Sequence, residues 1–109
     1  MWIMIGGPYG TGAQSPADRA ANLGRMNDAA LAVFRKGHVP IIGVNLALPI
    51  LAAGGGENEI MMPLSLALTD RCAAFLRIGG ASIGADAEMA RFIAAGKPVF
   101  RTIAEVPVA

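Results

Sequence analysis

The chain has one cysteine, one histidine and one tryptophan. A lone Cys72 cannot close an intrachain disulfide, and without a cluster of His and Cys no structural zinc site is expected. Charged residues make up only 16% of the sequence and sum to a formal +1, with no basic run or tail, so no nucleic-acid footprint is expected. No uninterrupted apolar run reaches the roughly 18 residues of a membrane span, and no basic region precedes an apolar segment at Met1. The expectation is a cytoplasmic protein with no membrane partner, no metal and no cofactor.

Apolar residues, by contrast, are plentiful: 54% of the sequence is hydrophobic and the mean hydropathy is +0.51. A chain of 109 residues makes one domain, spanning 1–109, and a domain of that size buries a modest fraction of its surface. Part of the apolar surface is therefore expected to lie between subunits of a homodimer or higher homo-oligomer.

The most informative stretch runs from Arg77 to Phe100. Ala73 to Ile78 is a short apolar run ending in Gly79-Gly80, and from Ala85 the period becomes helical, with Met89, Phe92 and Ile93 at three- and four-residue steps. Gly96 and Pro98 stop that helix, and Val99-Phe100 begins another strand. Strand, turn, helix and strand place the Gly79 to Gly84 turn at the carboxyl end of a parallel strand, where open α/β sheets bind ligands. Ser82 brings a hydroxyl, and Gly84 an unobstructed amide, to a helix N-terminus that favours anions. Glu88, six residues after Ser82, can reach the same crevice. Beside a sugar, a carboxylate there acts as nucleophile or stabilises an oxocarbenium ion. The plainer alternative makes Ser82 an N-cap, and Asp86 and Glu88 acids that complement the dipole.

The pattern Ser82-x-Gly84-Ala85-x-x-Glu88, with Lys97-Pro98-Val99 nine residues after the Glu, resembles the nucleoside 2-deoxyribosyltransferase-like superfamily. It is similar in particular to an uncharacterised domain family beside those transferases, and to the deoxynucleoside 5′-monophosphate N-glycosidases. The resemblance implies Glu88 as the nucleophile at the anomeric carbon and Ser82 as a holder of the 5′-phosphate. With them it implies a nucleotide-binding set of Gly6, Gly7, Pro8, Tyr9, Ser82, Gly84 and Asp86, a small-molecule nucleoside or nucleotide as partner, and cleavage or transfer of an N-glycosidic bond. The superfamily's first-strand Tyr has no counterpart in Trp2-Ile3-Met4-Ile5, which leaves Tyr9 as the nearby candidate. Its acid before the third strand could be Glu57, Glu59 or Asp70. A non-catalytic nucleotide-binding module and a structural oligomer stay open. So does a phosphoribohydrolase of the lysine-decarboxylase-like type, whose glycine-rich turn is similar to Gly84-Ala-Asp-Ala-Glu88.

Elsewhere the chain reads as an alternating α/β domain. Trp2 to Ile5 is a strand signal followed by the glycine-rich loop Gly6 to Gln14, which has neither the Walker lysine nor the dinucleotide spacing. Ser15-Pro16-Ala17-Asp18 opens a helix with an apolar stripe of Leu23, Met26, Ala30, Val33 and Phe34. Asn22 and Asn27 read as solvated face, with positioning of the first loop as the alternative for Asn22. Gly37 ends the helix, His38 reads as a satisfied polar group, and Val39 to Gly43 is the second strand. Val44 to Ala53 is apolar, and Gly54-Gly-Gly56 with Glu57-Asn-Glu59 reads as a mobile loop over the ligand. Ile60 to Leu68 is apolar on nearly every face of a helix, with methionines as packing filler, so a second subunit is its expected cover. Cys72 reads as a small buried hydrophobe, and Thr102 to Ala109 as an edge strand or partner contact. The expected architecture is a small flavodoxin-like or Rossmann-like three-layer α/β domain with a parallel sheet of four or five strands, the first one central.

Overall fold

A computed structural model describes residues 1–109. The elements follow in the order β1 (Trp2–Gly6), α1 (Pro16–Arg35), β2 (Val39–Ile41), α2 (Gly43–Ala52), α3 (Glu57–Thr69), β3 (Ala74–Arg77), α4 (Ile83–Ala94), β4 (Val99–Phe100) and a short 3₁₀ turn at Ile103–Glu105. The four strands form one all-parallel sheet in the order β2-β1-β3-β4, with β1 and β3 central. This is the expected small α/β layer fold, here with four strands.

The layers follow from the period of the strands. In β1, Ile3 and Ile5 point to one face and pack with Met26 and Val33 of α1, together with Ala74 and Leu76 of β3. Met4 and Phe75 point to the other face and pack with Cys72 and Phe92 of α4. Burial on both faces explains why these strands read as continuous apolar runs rather than as alternating ones. The step from β1 to β2 leaves the sheet centre in one direction and the step from β3 to β4 leaves it in the other. With right-handed crossovers this places α1 and α4 on opposite faces, as observed. The point between β1 and β3 where the direction reverses opens a crevice at their carboxyl ends, around Gly6 and Arg77.

Four expectations change. Glu57 and Glu59 form the first turn of α3 rather than a loop, and only Ala53 to Gly56 separates α2 from α3. The glycine run signals a break, but first-turn acids complement a helix dipole and so continue into the helix. The buried face of α3 carries Ser65 and Thr69, while Met62 is exposed. Ser65 packs directly on Gly43, so a small side chain lets α2 and α3 approach closely. Phe34 is 64% exposed, because its neighbour Val33 takes the inward position on α1. The tail is neither edge strand nor loose end. It folds back under α1, where Lys36 Nζ donates to Ile103 O at 2.6 Å and Val106 O at 2.7 Å, and Val106 is buried.

His38 and Cys72 behave as read. His38 is buried, with Nε2 donating to Pro107 O at 2.6 Å and Nδ1 accepting from the amino group of Met1 at 2.9 Å. Cys72 is buried beside Phe92, and burial pushes its thiol pKa up, against the opposing pull of Lys97, so it is a poor nucleophile. No helix is long and apolar enough to cross a membrane.

Candidate functional site

A cleft of about 180 Å³ lies at the carboxyl end of β1, between the β2–α2 junction and the start of α4. Its walls come from the end of β1, the first loop, the β2–α2 junction, α3, and the first turns of α4. Of the residues singled out in the sequence, Gly6, Tyr9, Ser82, Gly84 and Glu88 share this lining. Stretches distant in the chain, with Met26 of α1 among them, thus converge at the carboxyl end of β1, beside the point where the strand order reverses.

Glu88 sits on the second turn of α4 and is only 8% exposed. It lies this deep because β1 ends in Gly6 directly opposite. A Cβ on Gly6 would stand 3.0 Å from Glu88 Oε1 and would collide with the ring of Phe75. Burial in these apolar surroundings raises the Glu88 pKa to about 7, against the lowering pull of the Arg77 guanidinium. Near neutral pH the residue therefore exists both as carboxylate and as carboxylic acid, the range in which a side chain can exchange protons or attack an electrophilic carbon.

Ser82 adopts extended backbone angles before α4, and its Oγ accepts from Ala85 N at 3.1 Å. It is therefore an N-cap, buried to 6% exposure, and it also lines the cleft. The plainer reading of Ser82 holds without removing it from the site. Gly84 contributes its backbone where α3 approaches closely, since a Cβ there would meet Met62 Sδ at 3.3 Å.

Gly7, Pro8 and Asp86 are not on the lining. Gly7 packs against the Ile78 side chain and carbonyl, and Pro8 packs on Gly79, whose φ of +72° suits glycine and leaves no room for a Cβ. These two residues seat the first loop on the β3–α4 turn. Asp86 faces away from the cleft and accepts from Arg77 Nε at 3.1 Å.

Arg77 is the residue that sequence reading passed over. It closes β3, is 6% exposed, and donates also to Ile78 O at 2.5 Å and Gly80 O at 2.8 Å. One guanidinium thus holds both the turn before α4 and the first turn of α4. A charged residue ending an otherwise apolar strand was the available signal. Asn22 is the second such residue: it is buried, and its Nδ2 donates to Tyr9 O at 2.7 Å. That contact fixes the first loop, which is the alternative role and not the solvated one.

Among the three candidate acids, Glu57 lines the cleft, Glu59 does not, and Asp70 caps the far end of α3. Thr11, Ser65, Met26, Met61 and Met62 also contribute to the walls. Their part was not legible, because it depends on how α1 and α3 dock. No cluster of three or more His, Cys, Asp or Glu residues is arranged to hold a metal ion. The chain matches no protein-family model and no curated protein.

Proposed function

We propose that this chain binds a nucleoside or nucleoside 5′-monophosphate in the cleft and breaks its N-glycosidic bond through Glu88, passing the sugar to water or to another acceptor. The observation that carries the reading is the placement of Glu88: a buried carboxyl with a pKa of about 7 on the wall of a cleft beside the sheet's reversal point. The resemblance of Ser82-x-Gly-Ala-x-x-Glu88 to the nucleoside 2-deoxyribosyltransferase-like superfamily supports the same assignment.

Each group has a distinct part. Methionine and aliphatic walls from Met26, Ile42, Val44 and Met61 suit the flat apolar faces of a base. Thr11 and Ser65 line the same cleft, and their hydroxyls suit a sugar or a base edge. The ionised Glu88 attacks the anomeric carbon as the C1′–N bond breaks, the base leaves with the electron pair and takes a proton from solvent, and the acceptor opens the glycosyl ester, giving up its own proton and freeing the carboxylate. Gly6 opposite leaves the space in which that carboxylate stands.

The test is release of free base from a panel of ribo- and deoxyribonucleosides and their monophosphates, with calorimetric binding in parallel. Release that disappears in Glu88→Gln while binding persists supports the assignment. Binding without release in the wild type would favour a non-catalytic module.

Assembly belongs to the same proposal. Leu46 and Ile50 of α2 and Met62 of α3 remain 46%, 43% and 36% exposed, which is the region where a second copy would sit. Light scattering at micromolar concentration should give at least a dimer, and a monomer there would contradict it.

A further inference from the structure

The charged side chains on the cleft lining are Glu57, from the first turn of α3, and Glu88, from α4. Both are acids. No cation is on that lining: Arg77 lies behind the β3–α4 turn, donating to Asp86, Ile78 and Gly80, and Arg25, next to Met26, lines a neighbouring hollow that shares Thr11. Ser82 Oγ accepts from Ala85 N, which leaves only its O–H to offer an anion, and the side chain is almost buried. A phosphate entering this cleft would therefore meet Glu57 and the ionised fraction of Glu88 with no cation on the lining to receive it, whereas a positive charge would be drawn in. The other walls agree with a cationic ring: Tyr9 is an aromatic residue of the lining, and Met26, Met61 and Met62 are polarisable ones.

The chemistry of departure points the same way. A neutral base leaving a sugar keeps the bonding electron pair on its ring nitrogen and needs a proton. Glu57 is exposed at the start of α3, and no second buried acid stands beside Glu88 to deliver that proton. A base that is already positive leaves as a neutral molecule and needs none.

Resting on the glycosidic reading of the cleft, we infer that its substrate class is the nucleoside with a positively charged base, such as an N-ribosylpyridinium, in preference to the 5′-monophosphate of a neutral base. A Glu88 oxygen forms a bond to C1′ as the C1′–N bond breaks, and the electron pair moves onto the ring nitrogen and neutralises the base. Water then adds at C1′, the sugar is released, Glu88 returns as carboxylate, and one proton passes to solvent. A cationic ring beside Glu88 also supplies the opposite charge that its burial lacks, favouring the ionised form that attacks.

Cationic glycosides are intrinsically more reactive, so the decisive comparison is binding without cleavage. Two carbocyclic analogues of one shape, a pyridinium and its uncharged dihydropyridine, are titrated calorimetrically into the wild-type protein and into Glu57→Gln. The pyridinium should bind at least about 10-fold more tightly to the wild type, with the preference reduced in Glu57→Gln and weakened by salt. Equal affinities, a preference for the neutral ring, or tighter binding of a neutral nucleoside 5′-monophosphate would overturn the inference. Base release from neutral nucleosides in the same preparation would leave the glycosidic reading standing after such a result. Absence of release from neutral and cationic nucleosides alike would overturn that reading and this inference with it.

Discussion

Arg77 Nε donates to Asp86 Oδ1 at 3.1 Å, joining the last residue of β3 to the first turn of α4. The same guanidinium holds the carbonyls of Ile78 and Gly80, so the turn that presents Ser82 and Gly84 is fixed from below by one buried cation. The two partners contribute unequally. Asp86 is 58% exposed and its pairing is solvent-screened, whereas the carbonyl contacts of Arg77 are shielded.

Arg77→Met should therefore lower stability by about 2 to 4 kcal/mol, from the loss of charged hydrogen bonds to two carbonyls. Asp86→Asn should cost under about 1 kcal/mol. Urea denaturation of both variants checks the ratio, and an Asp86→Asn penalty equal to that of Arg77→Met would contradict it. Arg77→Met should also push the Glu88 pKa further up, because the lowering pull on it is removed. A carboxyl carbon titration followed by NMR measures that shift.

Glu88 also makes stability depend on pH. Its pKa rises from 4.5 in the unfolded chain to about 7 in the fold, so between those values the native state binds the extra proton. The contribution is fully present below about pH 4.5, declines as pH rises toward 7, and is gone above it. At about 1.4 kcal/mol per pH unit the total is on the order of 3 kcal/mol. Glu88→Gln should then be more stable than wild type at pH 8 by up to about 3 kcal/mol and nearly equal to it at pH 4. Denaturation midpoints across that range decide it, and a variant less stable than wild type at pH 8 would contradict the burial argument.

Ser82 has a structural part that must be separated from any part in binding. Ser82→Ala should lose the cap on Ala85 N and cost about 1 kcal/mol, while Ser82→Thr should restore most of it. Thermal melts of the two variants test this. Binding measured on the Thr variant, with the cap kept, then reports what the hydroxyl does in the cleft.

Much of this organisation was legible from sequence, and the part that was not has a physical reason. The four strands follow from local apolar runs bounded by Gly and Pro, although the second, expected from Val39 to Gly43, ends at Ile41 because Gly43 already begins α2; the Ser15-Pro16 start of α1 is a local signal. Ser82, Gly84 and Glu88 share one turn and one helix, so their convergence was readable from spacing. Glu57, Ser65 and Met61 reach the cleft only because α3 packs on α2 and α4, a tertiary fact with no local spacing to mark it. Arg77 was passed over because a charged residue at a strand end ordinarily faces water, and its burial depends on carbonyls of the turn that follows. Phe34 failed the other way: an apolar residue in helical register was assigned to the core, but Val33 occupies that position.

The most direct measurement is base release by wild type and Glu88→Gln across neutral, cationic and phosphorylated nucleosides, followed from pH 5 to 9. Wild type should release free base at a rate that rises with pH through about 7, as the nucleophile ionises. Glu88→Gln should fall by at least about 1,000-fold while still binding the ligand. Release by Glu88→Gln at the wild-type rate, or no release by wild type from any member of the panel, would contradict the assignment of Glu88.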